Sequence, residues 1–255
     1  MSKFQQLNIV SLLLLLTILT VGKQVVILLS ILVLVYISIL AFGSIFIQFN
    51  FYLKSLNKGQ TNKKQIAITF DDGPDKETTP MILELLAKHN AKATFFCIGE
   101  KINNQESLLQ EMDKAGHLIG NHSFSHSNYF SLSSAKKISI ELNKTKELIT
   151  KSIGKKPMLF RPPFGVTNPA IARAVKNNGL VSVGWSLRSF DTVNSKEKVI
   201  SKLLRMLKGG DVILFHDNRK NAPEILDFFL LWLAENKFEV VGLKELFNIE
   251  AYEKI

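Results

Sequence analysis

An apolar N-terminal segment is the feature that most constrains the fold of this 255-residue chain. Residues 1–53 contain only two of its 32 Lys and Arg residues and none of its 22 Asp and Glu residues. The remainder, residues 54–255, has the charge content of an ordinary soluble domain and is long enough for a sizeable core. A single soluble globule and a polytopic membrane protein are therefore both excluded. The lone Cys97 also excludes a disulfide scaffold.

Two stretches of this segment predict membrane-spanning helices. Residues 25–47 are 23 residues without a charge, which as a helix is long enough to cross a bilayer. The other stretch, at about 5–21, includes a charge-free run of 15 residues and spans only with its flanking residues. A polar turn at 22–24 joins the two predicted helices. A cleaved signal peptide is the alternative, but no small-residue cleavage site follows the first apolar run.

The distribution of lysines bears on which side of the membrane the large domain occupies. With two spans, the N-terminus and the large domain share one side. That side carries Lys3, Lys54, Lys58, Lys63 and Lys64, against Lys23 in the turn. The positive-inside rule alone then predicts a cytoplasmic domain. Residues 54–64 are polar and basic and predict a solvated linker. No basic stripe interleaved with aromatic residues is present, so we predict no nucleic-acid partner.

From residue 65 onward, short apolar runs alternate with longer amphipathic stretches. The runs are residues 65–70, 93–98, 117–120, 158–161, 180–185, 211–215 and 238–241. The helical patterns are 79–89, 105–115, 133–152, 169–178, 195–207 and 223–235. This alternation predicts an α/β fold with a parallel sheet of about seven strands. Its periodicity leaves open a doubly wound sheet or an irregular barrel.

Polar residues cluster where the predicted strands end. Asp71 and Asp72 follow the first run, and His122 and His126 follow the third. Arg161 closes the fourth run, and His216 follows the sixth. In parallel α/β folds the carboxyl ends of the strands share one face, so we expect these clusters to converge.

The converging residue types are those of a catalytic metal site. His122 and His126 are spaced i and i+4, which places both imidazoles on one side of a helix or tight loop. The adjacent carboxylates Asp71 and Asp72 repel each other unless a positive charge lies near. Two histidines and one carboxylate leave coordination positions open for water and a substrate oxygen. Two surface histidines and a simple turn at residues 71–74 are the alternatives.

Four motifs in register resemble the NodB-homology polysaccharide deacetylases, carbohydrate esterase family 4. They are Thr69-Phe-Asp-Asp-Gly-Pro74, His122-Ser-Phe-Ser-His126, Arg161-Pro-Pro-Phe-Gly165 and Leu214-Phe-His216. The resemblance covers roughly residues 64–247. It implies an irregular (β/α) barrel of seven or eight strands, a divalent metal that is usually zinc, and hydrolytic removal of an acyl group, mostly acetyl, from an amino sugar.

The resemblance also implies roles for individual residues. Asp72, His122 and His126 would bind the metal, and Asp71 would be the general base that deprotonates the attacking water. His216 would be the general acid that protonates the leaving amine. Arg161 would hold Asp71 in position, and Asp191 would orient His216 and raise its pKa.

The resemblance also implies contacts with the acyl group, and at one position this chain departs from the family pattern. Leu214 would line the pocket for the acyl methyl group, with Phe164 and Trp185 as further substrate contacts. Thr192 stands where many members of the family have Trp. We expect a backbone N–H near Phe124 or Ser125 to stabilise the developing oxyanion.

Arg188 precedes this departure from the family pattern by four positions. It is a candidate contact for a phosphate or carboxylate of the substrate, with a solvated side chain as the alternative.

The predicted function is metal-dependent N-deacetylation of an N-acetylated glycan, such as peptidoglycan or a chitin-like polymer, by a membrane-anchored enzyme. One alternative is deformylation or deacetylation of a lipid-linked sugar, and another is a catalytically silent glycan-binding module. Glycans of this kind lie mostly outside the cytoplasmic membrane, so the resemblance predicts an extracytoplasmic domain, against the lysine count. The predicted organisation is an anchor at 1–53, a linker at 54–64 and a deacetylase domain at 65–255.

Overall fold

The computed structural model describes residues 1–19 and 24–253. Its helices are α1 (Lys3–Ile18), α2 (Val25–Ile45), α3 (Thr78–Lys88), α4 (Gly99–Ile102), α5 (Glu106–Lys114), α6 (Ala135–Ile153), α7 (Pro169–Asn177), α8 (Lys196–Met206), α9 (Ala222–Glu235) and α10 (Leu243–Phe247). Its strands are β1 (Ser55–Leu56), β2 (Gln65–Gly73), β3 (Ala93–Cys97), β4 (Leu118–Asn121), β5 (Leu159–Phe160), β6 (Val181–Val183), β7 (Leu187–Arg188), β8 (Val212–His216) and β9 (Glu239–Val240).

The strands form one curved parallel sheet. Their order is β1-β6-β5-β4-β3-β2-β8-β7, and β9 pairs with the beginning of β2. The order runs back along the chain from β6 to β2 without the reversal of a doubly wound sheet. The predicted α/β fold, an irregular barrel of parallel strands, is therefore confirmed, in the form of a half-barrel with β1 and β7 at its edges.

Strand β2 is the centre of the sheet and of the core. It pairs with β3 on one side and with β8 on the other. Phe70 of β2 stacks between Phe95 of β3 and Phe215 of β8, with ring centroids 5.1 and 5.8 Å away. Burial of each such ring stabilises the fold by about 1.5–3 kcal/mol. This packing fixes the position of the carboxyl end of β2, where Asp71 and Asp72 lie.

The prediction of a solvated linker at 54–64 is wrong for its first half. Ser55 of β1 is buried, and its hydroxyl is 2.8 Å from that of Ser182 in the neighbouring strand β6. Lys58 forms an ion pair of 2.9 Å with Asp211, and the Gly59 N–H donates to the Gly210 carbonyl oxygen. These contacts attach residues 55–59 to the edge of the sheet. The polar composition of the segment does not predict them.

Two further differences concern element length. Strands β1 and β7 have two residues each and lie between polar neighbours rather than within an apolar run, so neither is among the seven predicted runs. Of the described helices, α2 alone is long and apolar enough to cross a membrane. Helix α1 has 16 residues, about 24 Å, and is shorter than the ~20 residues that a span needs. Most of the turn predicted at 22–24 lies outside the described residues.

The apolar helices are packed on each other and joined to the domain. The Tyr36 hydroxyl of α2 donates to the Asn8 side-chain oxygen of α1 over 2.9 Å. At the other end of α2, the Ser44 hydroxyl donates to the Thr167 carbonyl oxygen (2.7 Å), and the Thr167 N–H donates to the Ser44 carbonyl oxygen (2.9 Å). Ile47, just beyond α2, is buried in the core of the domain. The end of α2 is therefore part of the domain rather than a separate tether.

Candidate active site

Polar side chains from four loops meet at the carboxyl edge of the sheet. Because the strands are parallel, the last residues of β2 and β8 and the residues that follow β4 and β5 lie on one face. They enclose a cavity of about 200 Å³. The cavity is lined by Asp71, Asp72, His122, His126, Phe164, Gly165, Trp185, Arg188, Thr192, Leu214, His216 and Arg219. The convergence expected from the sequence is present.

Asp72, His122 and His126 form a group that could hold a metal ion. An Asp72 carboxylate oxygen lies 3.6 Å from His122 Nε2 and 3.4 Å from His126 Nε2. All three donor atoms lie within 4.8 Å of one another, and no other such group of three or more occurs among the described residues. Asp72 and His126 have left-handed backbone conformations (φ 73° and 49°), a strained geometry that aims both side chains inward.

The hydrogen bonding of the histidines favours a cation at this point. His122 Nδ1 lies 2.8 Å from the Arg161 carbonyl oxygen, which only accepts, so Nδ1 carries the proton. In the tautomer with its one proton on Nδ1, the electron pair on His122 Nε2 faces the Asp72 carboxylate. Burial, followed by the neighbouring His122, lowers the pKa of His126 to about 4, so that this ring is neutral at pH 7. Electron pairs from three residues therefore point at one position, and a divalent cation fits that donor set.

Arg161 holds Asp71 in a fixed position. The guanidinium is fully buried and lies 4.2 Å from the centroid of the Phe96 ring. Its Nη1 donates to Asp71 Oδ1 over 2.7 Å and to the Thr69 hydroxyl over 2.8 Å. Its other nitrogens donate to the carbonyl oxygens of Val183 and Gly184. The second Asp71 oxygen is 3.8 Å from His122 Nε2, beside the metal position, where a base for an attacking water would lie.

His216 lines the cavity and is paired with the buried Asp191. Asp191 Oδ1 lies 2.8 Å from His216 Nδ1, and Asp191 Oδ2 accepts the His216 backbone N–H over 2.8 Å. Burial alone would lower the pKa of His216, but the hydrogen bond to Asp191 and the charge of that carboxylate outweigh it and raise the pKa. The imidazolium form of His216 is thereby stabilised, as a general acid requires.

The predicted substrate contacts line the same cavity. Leu214 is buried, and Phe164 is half exposed with its ring 4.7 Å from that of His126. Trp185 is also part of the core, and a Cβ atom on Gly165 would come within 2.3 Å of its ring. Only glycine therefore allows this loop to lie so close to the indole. Thr192 also lines the cavity, with a small side chain.

The expected oxyanion donors are already used. The N–H groups of Phe124 and Ser125 both donate to the Glu141 carboxylate, over 3.2 and 3.0 Å. The Ser125 hydroxyl donates to the same carboxylate over 2.8 Å. The expectation that one of these N–H groups stabilises an oxyanion is therefore wrong. Glu141, on α6, instead fixes the turn that carries His122 and His126.

Two further residues at the site are Asp217, which follows His216 in the polar cluster after the sixth run but has no role predicted from the sequence, and Arg219. Asp217 is buried, and burial raises its pKa to about 7. It accepts a hydrogen bond from the Thr79 hydroxyl and occupies the space over Gly73, in the turn after Asp72. Arg219 lines the cavity three residues beyond His216. Their nearness to the His216 motif, at the end of a predicted strand, was the available signal.

Comparison with known proteins identifies the family. A family model described as Polysaccharide deacetylase matches residues 58–183. A peptidoglycan-N-acetylglucosamine deacetylase of Bacillus cereus is 37% identical over 191 residues, which cover 72% of this chain and 89% of the relative. The chain belongs to the polysaccharide deacetylase family. The predicted resemblance is confirmed, and with it an enzyme that hydrolyses carbon–nitrogen bonds outside peptides.

Other polysaccharide deacetylases are similar in sequence and in structure. The peptidoglycan-N-acetylmuramic acid deacetylase PdaA of Bacillus subtilis is 34% identical over 193 residues, covering 74% of this chain and 73% of PdaA. The crystal structure of the Bc1960 peptidoglycan N-acetylglucosamine deacetylase superposes with a TM-score of 0.72 at 30% identity. That match covers 77% of this chain and 94% of the other.

Proposed function

We propose that this chain is a membrane-anchored, metal-dependent deacetylase that removes acetyl groups from the N-acetylated amino sugars of peptidoglycan. The observation that carries the proposal is one cavity that joins three metal-binding side chains, a carboxylate held by Arg161 and a histidine paired with Asp191. The names of the relatives supply the substrate class.

Asp72, His122 and His126 would hold the cation, which we propose to be Zn²⁺ because imidazole nitrogens and one carboxylate are ligands that suit it. When bound, the ion polarises the acyl oxygen and lowers the pKa of a coordinated water. The chain itself would supply the remaining groups.

Asp71 would accept the proton of the attacking water, and Arg161 would keep its carboxylate aimed at that water. His216, charged through Asp191, would donate a proton to the amine nitrogen as the carbon–nitrogen bond breaks. Leu214 and Trp185 would bound the space for the acyl methyl group, and the exposed Phe164 would offer a surface for the sugar ring.

Acetate release tests this proposal. The full-length protein, purified in detergent and supplied with zinc, is expected to release acetate from peptidoglycan fragments, whereas Asp72→Ala releases none. Absence of acetate from every N-acetylated glycan offered would refute the proposal and favour the silent glycan-binding module. The module is disfavoured because the base, the ligands, the acid and Arg161 are all brought together.

We also propose that α2 crosses the cytoplasmic membrane and that the domain lies outside the cytoplasm, where peptidoglycan is found. The lysines that favoured the opposite side belong partly to the fold. Lys58 is paired with Asp211, and Lys64 donates to the Asn236 carbonyl oxygen over 3.2 Å. They are therefore weaker evidence for a cytoplasmic side than free juxtamembrane charges. External protease that leaves the domain intact on whole cells, but cleaves it after lysis, would contradict this orientation.

A second candidate is deacylation of a lipid-linked sugar. It is favoured by the direct hydrogen bonds between Ser44, at the end of α2, and Thr167, which follows the Arg161-Pro-Pro-Phe-Gly165 loop. That contact holds the cavity at a fixed distance from the apolar helix. Faster release of acetate or formate from a polyprenyl-linked sugar than from glycan fragments would select this candidate.

A further inference from the structure

Two arginines in the cavity have no counter-charge. Arg188 on β7 and Arg219 after β8 both line the cavity beside the metal-binding group. Neither side chain forms an ion pair or a hydrogen bond with any of the described residues. In both, the Nε atom is shielded from solvent and has no partner. A shielded guanidinium nitrogen without an acceptor is costly, since it has lost its hydration and gained nothing in return.

The carboxylates of the cavity are already engaged elsewhere. Asp71 is paired with Arg161, and the buried Asp191, which lies beside the cavity rather than lining it, is paired with His216. Asp72 belongs to the metal-binding group. No acidic side chain of the cavity is therefore left to neutralise the two arginines.

The immediate surroundings of Arg188 add positive charge rather than negative. Its guanidinium lies 5.0 Å from the Phe190 ring centroid, and Lys202 Nζ lies 3.6 Å from the same ring. The pKa of Lys202 is lowered by burial and then by the charges of Arg188 and Arg205. Aromatic contacts orient Arg188, but they do not satisfy its N–H donors.

We propose that Arg188 and Arg219 select amino sugars with an anionic group on a ring carbon next to the one that bears the N-acetyl group. The acetamido group is on C2, so substituents on C1 and C3 must enter the same cavity when the acyl carbon reaches the metal position. Muramic acid carries a lactyl ether on C3, which ends in a carboxylate when no peptide is attached. A sugar 1-phosphate carries its charge on C1. Either anion would offer the acceptor oxygens that the two guanidinium groups lack.

Thr192 leaves room for such a substituent. It lines the same cavity as both arginines, and its side chain is small. N-acetylglucosamine carries only a hydroxyl on C3 and would leave both arginines unpaired. The inference rests on the proposed deacetylase function and assigns its preferred substrate.

The test compares matched substrates on the full-length protein in detergent with added zinc. Four are used: an N-acetylglucosamine–N-acetylmuramic acid tetrasaccharide with free lactyl carboxylates, the same glycan as its neutral lactyl amide, N,N′-diacetylchitobiose 1-phosphate, and N,N′-diacetylchitobiose as the neutral counterpart of the 1-phosphate. The readout is kcat/KM for acetate release. We expect the wild type to prefer the acid or the 1-phosphate over its neutral counterpart by about tenfold or more, as one to two charge-assisted hydrogen bonds predict. Whichever anion is preferred identifies the source of the charge.

Variants assign that preference to the arginines. Arg188→Met and Arg219→Met are expected to lower the acid-to-amide ratio several-fold each, and the double variant to bring it near one. Arg188→Lys, which keeps the charge without the planar fork, should retain part of the ratio. Arg173→Met, at an exposed position on α7, is the matched control and should keep the full ratio.

Two results would overturn the inference without touching the proposed function. One is acetate release from all four substrates at similar efficiency. The other is an anionic preference that survives in the double variant. Release from none of the substrates would remove both the inference and the proposed deacetylase function.

Discussion

The pairing of Asp191 with His216 gives the sharpest single prediction. Asp191→Asn has the same shape, but it replaces a carboxylate that accepts from both the ring Nδ1 and the backbone N–H of His216, each over 2.8 Å. The amide offers one oxygen and one NH₂ group. Its NH₂ must therefore face either the backbone N–H or the ring, and both arrangements disfavour the imidazolium.

The expected loss of activity in Asp191→Asn follows from these two hydrogen bonds. Loss of one charge-assisted hydrogen bond costs about 1.5–3 kcal/mol, and a buried donor without a partner adds about 1–3 kcal/mol. Together they predict a fall in kcat of about 10²-fold or more, within the range of general acid–base catalysis. Metal content should be unchanged, because Asp191 does not contact the metal-binding group.

The pH dependence has a definite sign. Asp191 raises the pKa of His216 against the effect of burial, so its removal lowers the pKa. Since the general acid must be protonated, the alkaline limb of the kcat profile should move to lower pH in Asp191→Asn. His216 also contributes stability below its unfolded pKa of about 6.5, and this contribution disappears as pH rises through the raised folded pKa. The variant should therefore lose more stability at pH 5 than at pH 9.

Steady-state acetate release between pH 5 and 10, with elemental analysis of each preparation, measures these effects. Ser189→Ala is the control, since it removes only a neutral hydrogen bond of 2.8 Å to Asp191 and should cost less than about tenfold. An Asp191→Asn enzyme with kcat within threefold of wild type and an unshifted alkaline limb would refute the assignment of His216 as the acid.

Four other substitutions test separate parts of the site. Asp71→Asn should retain metal and lose at least about 10²-fold in kcat, so near-normal turnover would exclude Asp71 as the base. His122→Ala should lose bound metal by elemental analysis, and full metal occupancy would contradict its role as a ligand. Arg161→Met leaves a buried carboxylate unpaired and should lower the free energy of unfolding by about 3–5 kcal/mol; a denaturant midpoint equal to that of Arg173→Met would argue against this. Glu141→Ala releases the turn that carries both histidines and should weaken metal affinity about 10–100-fold in a chelator titration, whereas unchanged affinity would show that the turn holds itself.

Much of the fold can be predicted from the pattern of apolar residues in the sequence. The predicted helices and the strands β2 to β6, β8 and β9 appear within a few residues of their expected bounds, because each lies in an apolar run or buries a periodic apolar face. Strands β1 and β7 escape this reasoning, since each has two residues between polar neighbours, whereas the equally short β5 and β9 lie within apolar runs. The prediction of a solvated linker fails for its first half because Ser55 contacts Ser182 and Lys58 contacts Asp211. Local composition does not encode such long-range contacts.

The same distinction separates the predicted from the unpredicted parts of the site. Asp71, His122, Arg161 and His216 stand in motifs at strand ends, so chain position alone predicted their convergence. Glu141 lies in an amphipathic helix among other charged residues, and only the folded chain shows that its carboxylate accepts hydrogen bonds from the N–H groups of Phe124 and Ser125. The contact of Ser44 with Thr167 joins residues 123 positions apart and depends on how the helix meets the barrel.

The most direct test of the central claim is the balance of products from intact peptidoglycan. Metal-loaded full-length protein is expected to release acetate and to expose new sugar amines in equal amounts, and Asp72→Ala, with its metal-binding group incomplete, should produce neither. Acetate release that is unaffected by Asp72→Ala, or no new amine from the wild type, would contradict the account that this cavity is a metal-dependent N-deacetylase site.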